Sequence, residues 1–136
     1  MRITRITLIR TERPRERNIN ELLQWFGGSI GLFNQRDKDK SCFRIFITLL
    51  RHRKKSRDGL TSDEIAYATG LTRGTIIHHL NKLLESRLVE TQNSRYFLKV
   101  RTLKLLVKSL QQETEQALKD LSSIADIIDE QLGLEE

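Results

Sequence analysis

Between Ser41 and Lys55 the chain reads SCFRIFITLLRHRKK, and Cys42, Ile45, Phe46 and Leu49 fall on one face at helical spacing, which predicts a core helix beginning near Ser41. The run ends in Arg51, His52, Arg53, Lys54, Lys55 and Arg57, cations that complement the negative end of a helix dipole, and Gly59 closes the loop behind them. In the next stretch, LTSDEIAYATG, Thr61 and Glu64 have the T-x-x-E spacing of a capping box, so a helix starts there with Ile65, Ala66 and Thr69 as a small inner face. Gly70 supplies the left-handed residue that ends it, Leu71 follows as a buried plug, and Thr72 caps a further helix from Arg73 to about Ser86. Nearer the N-terminus the pattern is weaker. The alternation in RITRITLIR predicts either one short strand or an arginine-rich arm, and a short helix from Asn18 runs through ELLQWF until Gly27 and Gly28 stop it.

Two helices joined by Gly70-Leu71-Thr72 make a helix-turn-helix. On the second, Ile76, Leu80 and Leu83 stand at i, i+4 and i+7 and face the core. Gly74, Ile77, His78, Asn81 and Glu85 therefore point away, flanked by Arg73 and Thr75. Glycine costs about 1 kcal/mol of helix propensity relative to alanine, so Gly74 in the first turn fits close approach by another surface. The adjacent His78 and His79 diverge by about 100° on a helix and cannot share one metal. His79 is expected as a half-buried packing residue and His78 as an exposed one. Beyond this helix, Leu88 to Thr91 and Tyr96 to Val100 are two β-prone runs joined by Gln92-Asn93-Ser94-Arg95, which predicts a hairpin or wing over 88–100.

The segment LTSDEIAYATGLTRGTIIHHLNKLLESRLVE and the hairpin to Val100, about 40 of the 136 residues, resemble the winged helix-turn-helix transcription regulators of prokaryotes, in particular the ArsR-like and MarR-like groups. The fold expected is mainly α with a small β-hairpin wing, as the resemblance implies, and a long C-terminal dimerisation helix, which the pattern of the last segment adds. The resemblance places the helix of about 73–86 in the major groove, with Arg73, Gly74, Thr75, Ile77, His78 and Asn81 reading bases. Thr61, Ser62, Thr72, Lys82, Arg87 and the wing residues Asn93, Ser94 and Arg95 would meet the backbone or the flanking minor groove. Two departures stand out. The paired-cysteine sensor of metal-responsive members is missing, since Cys42 stands alone, and Arg87 occupies a position where the family often has glycine.

The last segment has an apolar repeat at 103, 107, 110, 114, 117, 121, 124, 128 and 131. Leu103, Val107, Leu110, Ala117, Leu121, Ile124 and Ile128 fill it, with Thr114 and Gln131 at the other two positions, and Leu106, Leu118, Ala125 and Leu132 widen the stripe. A helix of about 30 residues would be roughly 45 Å long, more stripe than so small a domain can bury; the readings are a helix folded back over the domain's own helices or, favoured, a coiled-coil-like homodimer with one end packed on the domain body. The organisation expected is a basic arm or strand over 1–17, a DNA-binding domain over 18–101 and a C-terminal dimerisation helix over 102–136.

Charge sharpens this picture. Residues 1–110 hold 23 of the 24 Lys and Arg but 10 of the 18 acids, a net +13, whereas 111–136 hold Lys119 and eight acids, a net −7. A basic body suits an anionic partner, and double-stranded DNA is the one expected; the acidic tail does not. Neither a membrane span nor a secretory leader is legible, so a cytoplasmic protein is expected. The single Cys42 excludes a disulfide framework and reads as core filling. GGSIG lacks the lysine and hydroxyl of a phosphate loop, and no cofactor, metal or catalytic constellation is expected. Trp25 or Phe33 line an effector pocket or simply pack, and no motif names an effector. The other reading of the same residues is a winged-helix module that docks on transcription or replication machinery.

Overall fold

The order is α1 (Ile19–Ser29), α2 (Ser41–Lys55), α3 (Ser62–Thr69), α4 (Arg73–Glu85), β1 (Val89–Gln92), β2 (Arg95–Leu98) and α5 (Leu103–Leu132). The computed structural model describes residues 5–15, 18–32, 40–55 and 58–135, in two units that divide at Arg101 and Thr102. Phe33, Arg57, the first four residues and the side chain of Lys54 lie outside that description.

In the first unit, α2 is the hub. It packs against α3, α4 and β2, and α4 packs in turn on α3 and β1. The side chains sealed between them are those the periodicity picks out: Cys42, Ile45, Phe46 and Leu49 of α2, Ile65 of α3, and Ile76, Leu80 and Leu83 of α4. Val89 and Leu98 face each other at the open end of the hairpin and close the same core. The Arg44 guanidinium of α2 donates to the Thr69 carbonyl, tying the core helix to the end of α3. Leu71 is half-buried instead of sealed, because a residue in the turn between two helices is covered on one side only. His79 is 9% exposed, more deeply buried than its place beside the Leu80 row implies.

The hairpin is tighter than expected. Gln92 pairs with Arg95, so the turn is the two residues Asn93 and Ser94, with φ of 54° and 62°. Two consecutive left-handed residues match the twist of the flanking strands, which is why two-residue loops dominate hairpins. The second strand accordingly ends at Leu98, short of Val100. On its other edge Tyr96 forms a bridge with Leu60, through Leu60 N–H to the Tyr96 carbonyl at 2.9 Å and the reverse bond at 2.7 Å. Gly59 makes this approach possible. Its φ is 81°, and a Cβ there would lie 2.6 Å from the Tyr96 carbonyl oxygen.

At the N-terminal side one expectation is corrected and one pair of alternatives is narrowed. Helix α1 starts on the Asn18 cap but runs through Gly27 and Gly28 to Ser29. Gly27 is buried inside the last turn, and the stop comes after it: Gly31, at φ 76°, makes the turn, with Leu32 N–H on the Gly27 carbonyl at 2.8 Å and Gly31 N–H on the Gly28 carbonyl at 3.2 Å closing the helix end. The described part of the arm forms no strand. Ile9 N–H donates to the Ser29 carbonyl at 2.8 Å, and the Trp25 indole donates to Thr11 Oγ1 and the Glu12 carbonyl at 3.1 and 3.0 Å.

The second unit is α5 with its caps. Thr102 accepts from Leu105 N–H at its start, and Gly133 ends it at φ 69°. Its 30 residues correspond to about 45 Å. Leu106 is buried, Leu103 and Leu110 are half-buried, and Val107, Ala117, Leu121, Ile124 and Ile128 are exposed. No helix among the described residues is long and apolar enough to cross a membrane.

The rotation of α4 is open to direct measurement. Leu80→Ala should lower the unfolding free energy by about 2–5 kcal/mol in denaturant titrations, as expected for a sealed aliphatic side chain. Ile77→Ala, at a position 36% exposed, should cost less than about 1.5 kcal/mol. Equal losses at the two positions would place α4 in a different orientation.

Candidate nucleic-acid interface

The two short helices of the turn begin on caps that hold their first residues rigidly. Thr61 Oγ1 accepts from Glu64 N–H and Glu64 Oε1 accepts from Thr61 N–H, both at 3.1 Å, completing the capping box. Gly70 ends α3 at φ 72° with its N–H on the Ala66 carbonyl. Thr72 then caps α4, accepting from Thr75 N–H at 3.3 Å and donating to Thr75 Oγ1 at 2.9 Å. Both threonine hydroxyls expected at the DNA backbone are thus engaged in capping, and they position the N-termini of α3 and α4.

With Ile76, His79, Leu80 and Leu83 inside, α4 presents Arg73, Gly74, Ile77, His78, Asn81 and Lys82 to solvent, and Thr75 is half-buried. The face predicted to read bases is therefore one contiguous surface. An added Cβ at Gly74 would meet nothing within 4 Å among the described residues, so none of them requires a glycine there. The His78 and His79 rings meet edge-on at 5.2 Å, one exposed and one buried. Among the described residues no group of three or more His, Cys, Asp or Glu side chains is placed to hold a metal ion.

The wing is stapled to the helix-turn-helix by contacts that local patterns do not reveal. Arg95 Nη1 donates to the Gly59 carbonyl at 3.1 Å and to Glu64 Oε1 at 3.2 Å. One carboxylate oxygen consequently serves the α3 cap and the wing together. The Thr61 amide and hydroxyl, with Arg95 and His52 adding positive potential, hold the Glu64 carboxyl below its usual value of 4.5. Arg95 is thus a structural strut as well as a cation expected near the backbone. Arg87 leaves α4 at φ 61°, the helix-ending conformation that glycine would adopt more readily.

A groove of about 670 Å³ opens beside this strut, lined by Arg53, Asp58, Gln92, Asn93, Arg95 and Phe97. It sets the cationic end of α2 against the wing tip, and Arg53 Nε is buried there without a hydrogen-bond partner. In the sequence Arg53 belongs to a charge cluster, with no sign that it shares a groove with Asn93. The second ion pair in this region, Arg73 with Asp63, joins two positions ten residues apart and was equally hidden.

Residues 55–91, from the end of α2 into the first wing strand, match the family model of the bacterial regulatory proteins of the arsR family. No curated protein and no solved structure matches the chain.

The Glu64 junction carries a pH signature. A carboxylate with a depressed folded-state pKa contributes stability that is complete above its unfolded value and lost as pH falls through the folded one. Glu64→Gln should therefore melt below the parent chain at pH 7, and the gap should shrink as both are acidified beneath the ordinary carboxylate range. A gap independent of pH in thermal melts would mean that the charge of Glu64 is immaterial.

Proposed function

We propose that this chain, which carries the winged helix-turn-helix of an ArsR-like DNA-binding transcription regulator, works as a homodimer that reads operator sequence with α4. The observation that carries the reading is the exposed surface of Arg73, Gly74, Ile77, His78 and Asn81 on a helix whose other side is sealed. These side chains suit base edges: arginine bonds guanine bidentately, asparagine bonds adenine, and an aliphatic group meets the thymine methyl. Gly74 lets the duplex approach the helix backbone closely. Lys82, Arg87, the N-terminal turns at Thr61, Ser62 and Thr72, and the wing tip at Asn93 and Ser94 take the sugar-phosphate backbone. The groove of Arg53 and Asn93 beside Arg95 offers a further phosphate seat.

The partner is a second copy. Along α5, Leu121, Ile124, Ile128 and Leu132 are between 48% and 68% exposed. A stripe this apolar on a helix this long requires a facing helix, and coiled-coil spacing supplies one. Two-fold pairing would present two copies of α4 to an inverted repeat, with half-sites about 34 Å or a multiple of it apart.

Selection of bound duplexes from a random library tests the reading. A recovered consensus, with Arg73→Ala losing about 1–3 kcal/mol of discrimination against random duplex, is the expected result. Recovery of no consensus, with negligible duplex affinity at physiological salt, would favour a module that docks on other proteins. Separately, Leu121→Asp combined with Ile124→Asp should convert the dimer to monomer in sedimentation. A dimer that survives both changes would locate the interface elsewhere.

A further inference from the structure

Arg73 and Asp63 pair across the turn of the helix-turn-helix, with Nη2 3.0 Å from Oδ1 and side chains 72% and 78% exposed. An ion pair so exposed adds little to the fold. The packing of α3 on α4 has Ile65, Ile76 and Leu80 to hold it, all fully buried. Helix α3 does not need the acid to begin either, because Thr61 and Glu64 already close its N-terminus. For a protein that binds DNA, moreover, a carboxylate beside a base-reading arginine has an electrostatic cost, since it repels phosphate. Its presence there needs a compensating use.

We infer that Asp63 is a positioning residue: it fixes the Arg73 guanidinium so that it reads a base edge, and so trades general affinity for sequence specificity. This deepens the reading of Arg73 as a base reader and rests on it. An unrestrained arginine at the start of α4 would swing to the nearest phosphate, where the opposite charge is strongest, and a phosphate carries no sequence information. A carboxylate oxygen on one nitrogen restricts that swing and offsets the charge that would seek phosphate. A guanidinium has more N–H donors than one oxygen occupies, so an edge stays available for the O6 and N7 acceptors of guanine. Both ends of the pair sit on elements held in register. Arg44 grips the end of α3 through the Thr69 carbonyl, and the Thr72 cap sets the first turn of α4.

The consequence is a pair of changes with opposite signs, which neither simple electrostatics nor a stability role produces. The test uses the full chain and two probes at one fixed salt concentration, a duplex selected by the parent protein and a random-sequence duplex of equal length. Asp63→Ala should bind the random duplex about two- to threefold more tightly, because a negative charge near phosphate is gone. It should bind the selected duplex roughly fivefold more weakly, because the reading arginine is no longer held. Asp63→Glu, which restores a carboxylate, should recover most of the lost ratio. Asp63→Asn is read in the same way should the alanine variant melt early. Equal tightening on both duplexes, with the ratio unchanged, overturns the inference. Arg73→Ala on the same probes separates the two levels: if it leaves the ratio intact, Arg73 reads no base and both claims fall; if it collapses the ratio while Asp63→Ala does not, only the role of Asp63 falls.

Discussion

The seal of Ile76, Leu80 and Leu83 against the core helix α2 determines how α4 is turned about its own axis, and nearly everything functional in the first unit follows from that angle. Each fully buried aliphatic side chain contributes about 1.5–3 kcal/mol relative to exposure, whereas the exposed pairs on the outer face contribute about 0–1 kcal/mol. The inner row therefore decides the rotation, and the outer row accepts what is left. Because successive residues advance by about 100°, placing 76, 80 and 83 inside places 73, 74, 77, 78 and 81 outside. The face proposed to read bases is a by-product of core packing.

A second constraint ties the wing to this frame. The hairpin meets α2 and α4 through Val89 and Leu98, but an antiparallel pair of four-residue strands is marginal alone. It is braced by the Leu60 bridge, which exists because Gly59 lets two backbones approach, and by Arg95 reaching both the Gly59 carbonyl and Glu64. Glu64 thereby connects the start of α3 to the turn end of the wing through a single oxygen. Elements expected to straddle different parts of a duplex share one mechanical joint, so a change at Glu64 reaches surfaces that it does not itself form.

Much of this was legible because the controlling signals are local. The capping box at Thr61 and Glu64, the left-handed Gly70, the Thr72 cap and the three-and-four spacing of the aliphatic rows each act within one or two helical turns, and each lies where the pattern predicts. What was not legible depends on tertiary neighbours. Gly27 and Gly28 look like helix stops, yet both lie within the last turn, and the stop falls at Gly31 against Thr7, where Leu32 and Gly31 N–H groups bond back to the Gly27 and Gly28 carbonyls. The arm RITRITLIR has the alternation of a strand, yet its described part is held by bonds from Ile9 to Ser29 and from Trp25 to Thr11 and Glu12 and joins no sheet. The four-residue loop expected between the wing strands closes to two because Asn93 and Ser94 both accept positive φ. At the interface, the exposed row of α4 could be read from the buried one, whereas the struts from Arg95 to Glu64 and from Arg73 to Asp63 span 31 and 10 residues and leave no periodic trace.

The proposed regulator also shows why the exposed stripe of α5 matters to a function carried out elsewhere. A single copy offers few base-reading side chains, and a good bidentate contact discriminates by only about 1–3 kcal/mol, while the net +13 of residues 1–110 supplies attraction for any duplex at all. Affinity of that kind lowers the free energy of the right and the wrong site alike, so more positive charge cannot improve the choice between them. Joining two copies can. Each copy then reads its own half-site, the two discrimination energies add, and the second contact forms at high effective concentration once the first is made. For so small a reading surface, the proposed pairing through the long helix would be the step that turns a DNA-binding domain into a selective one.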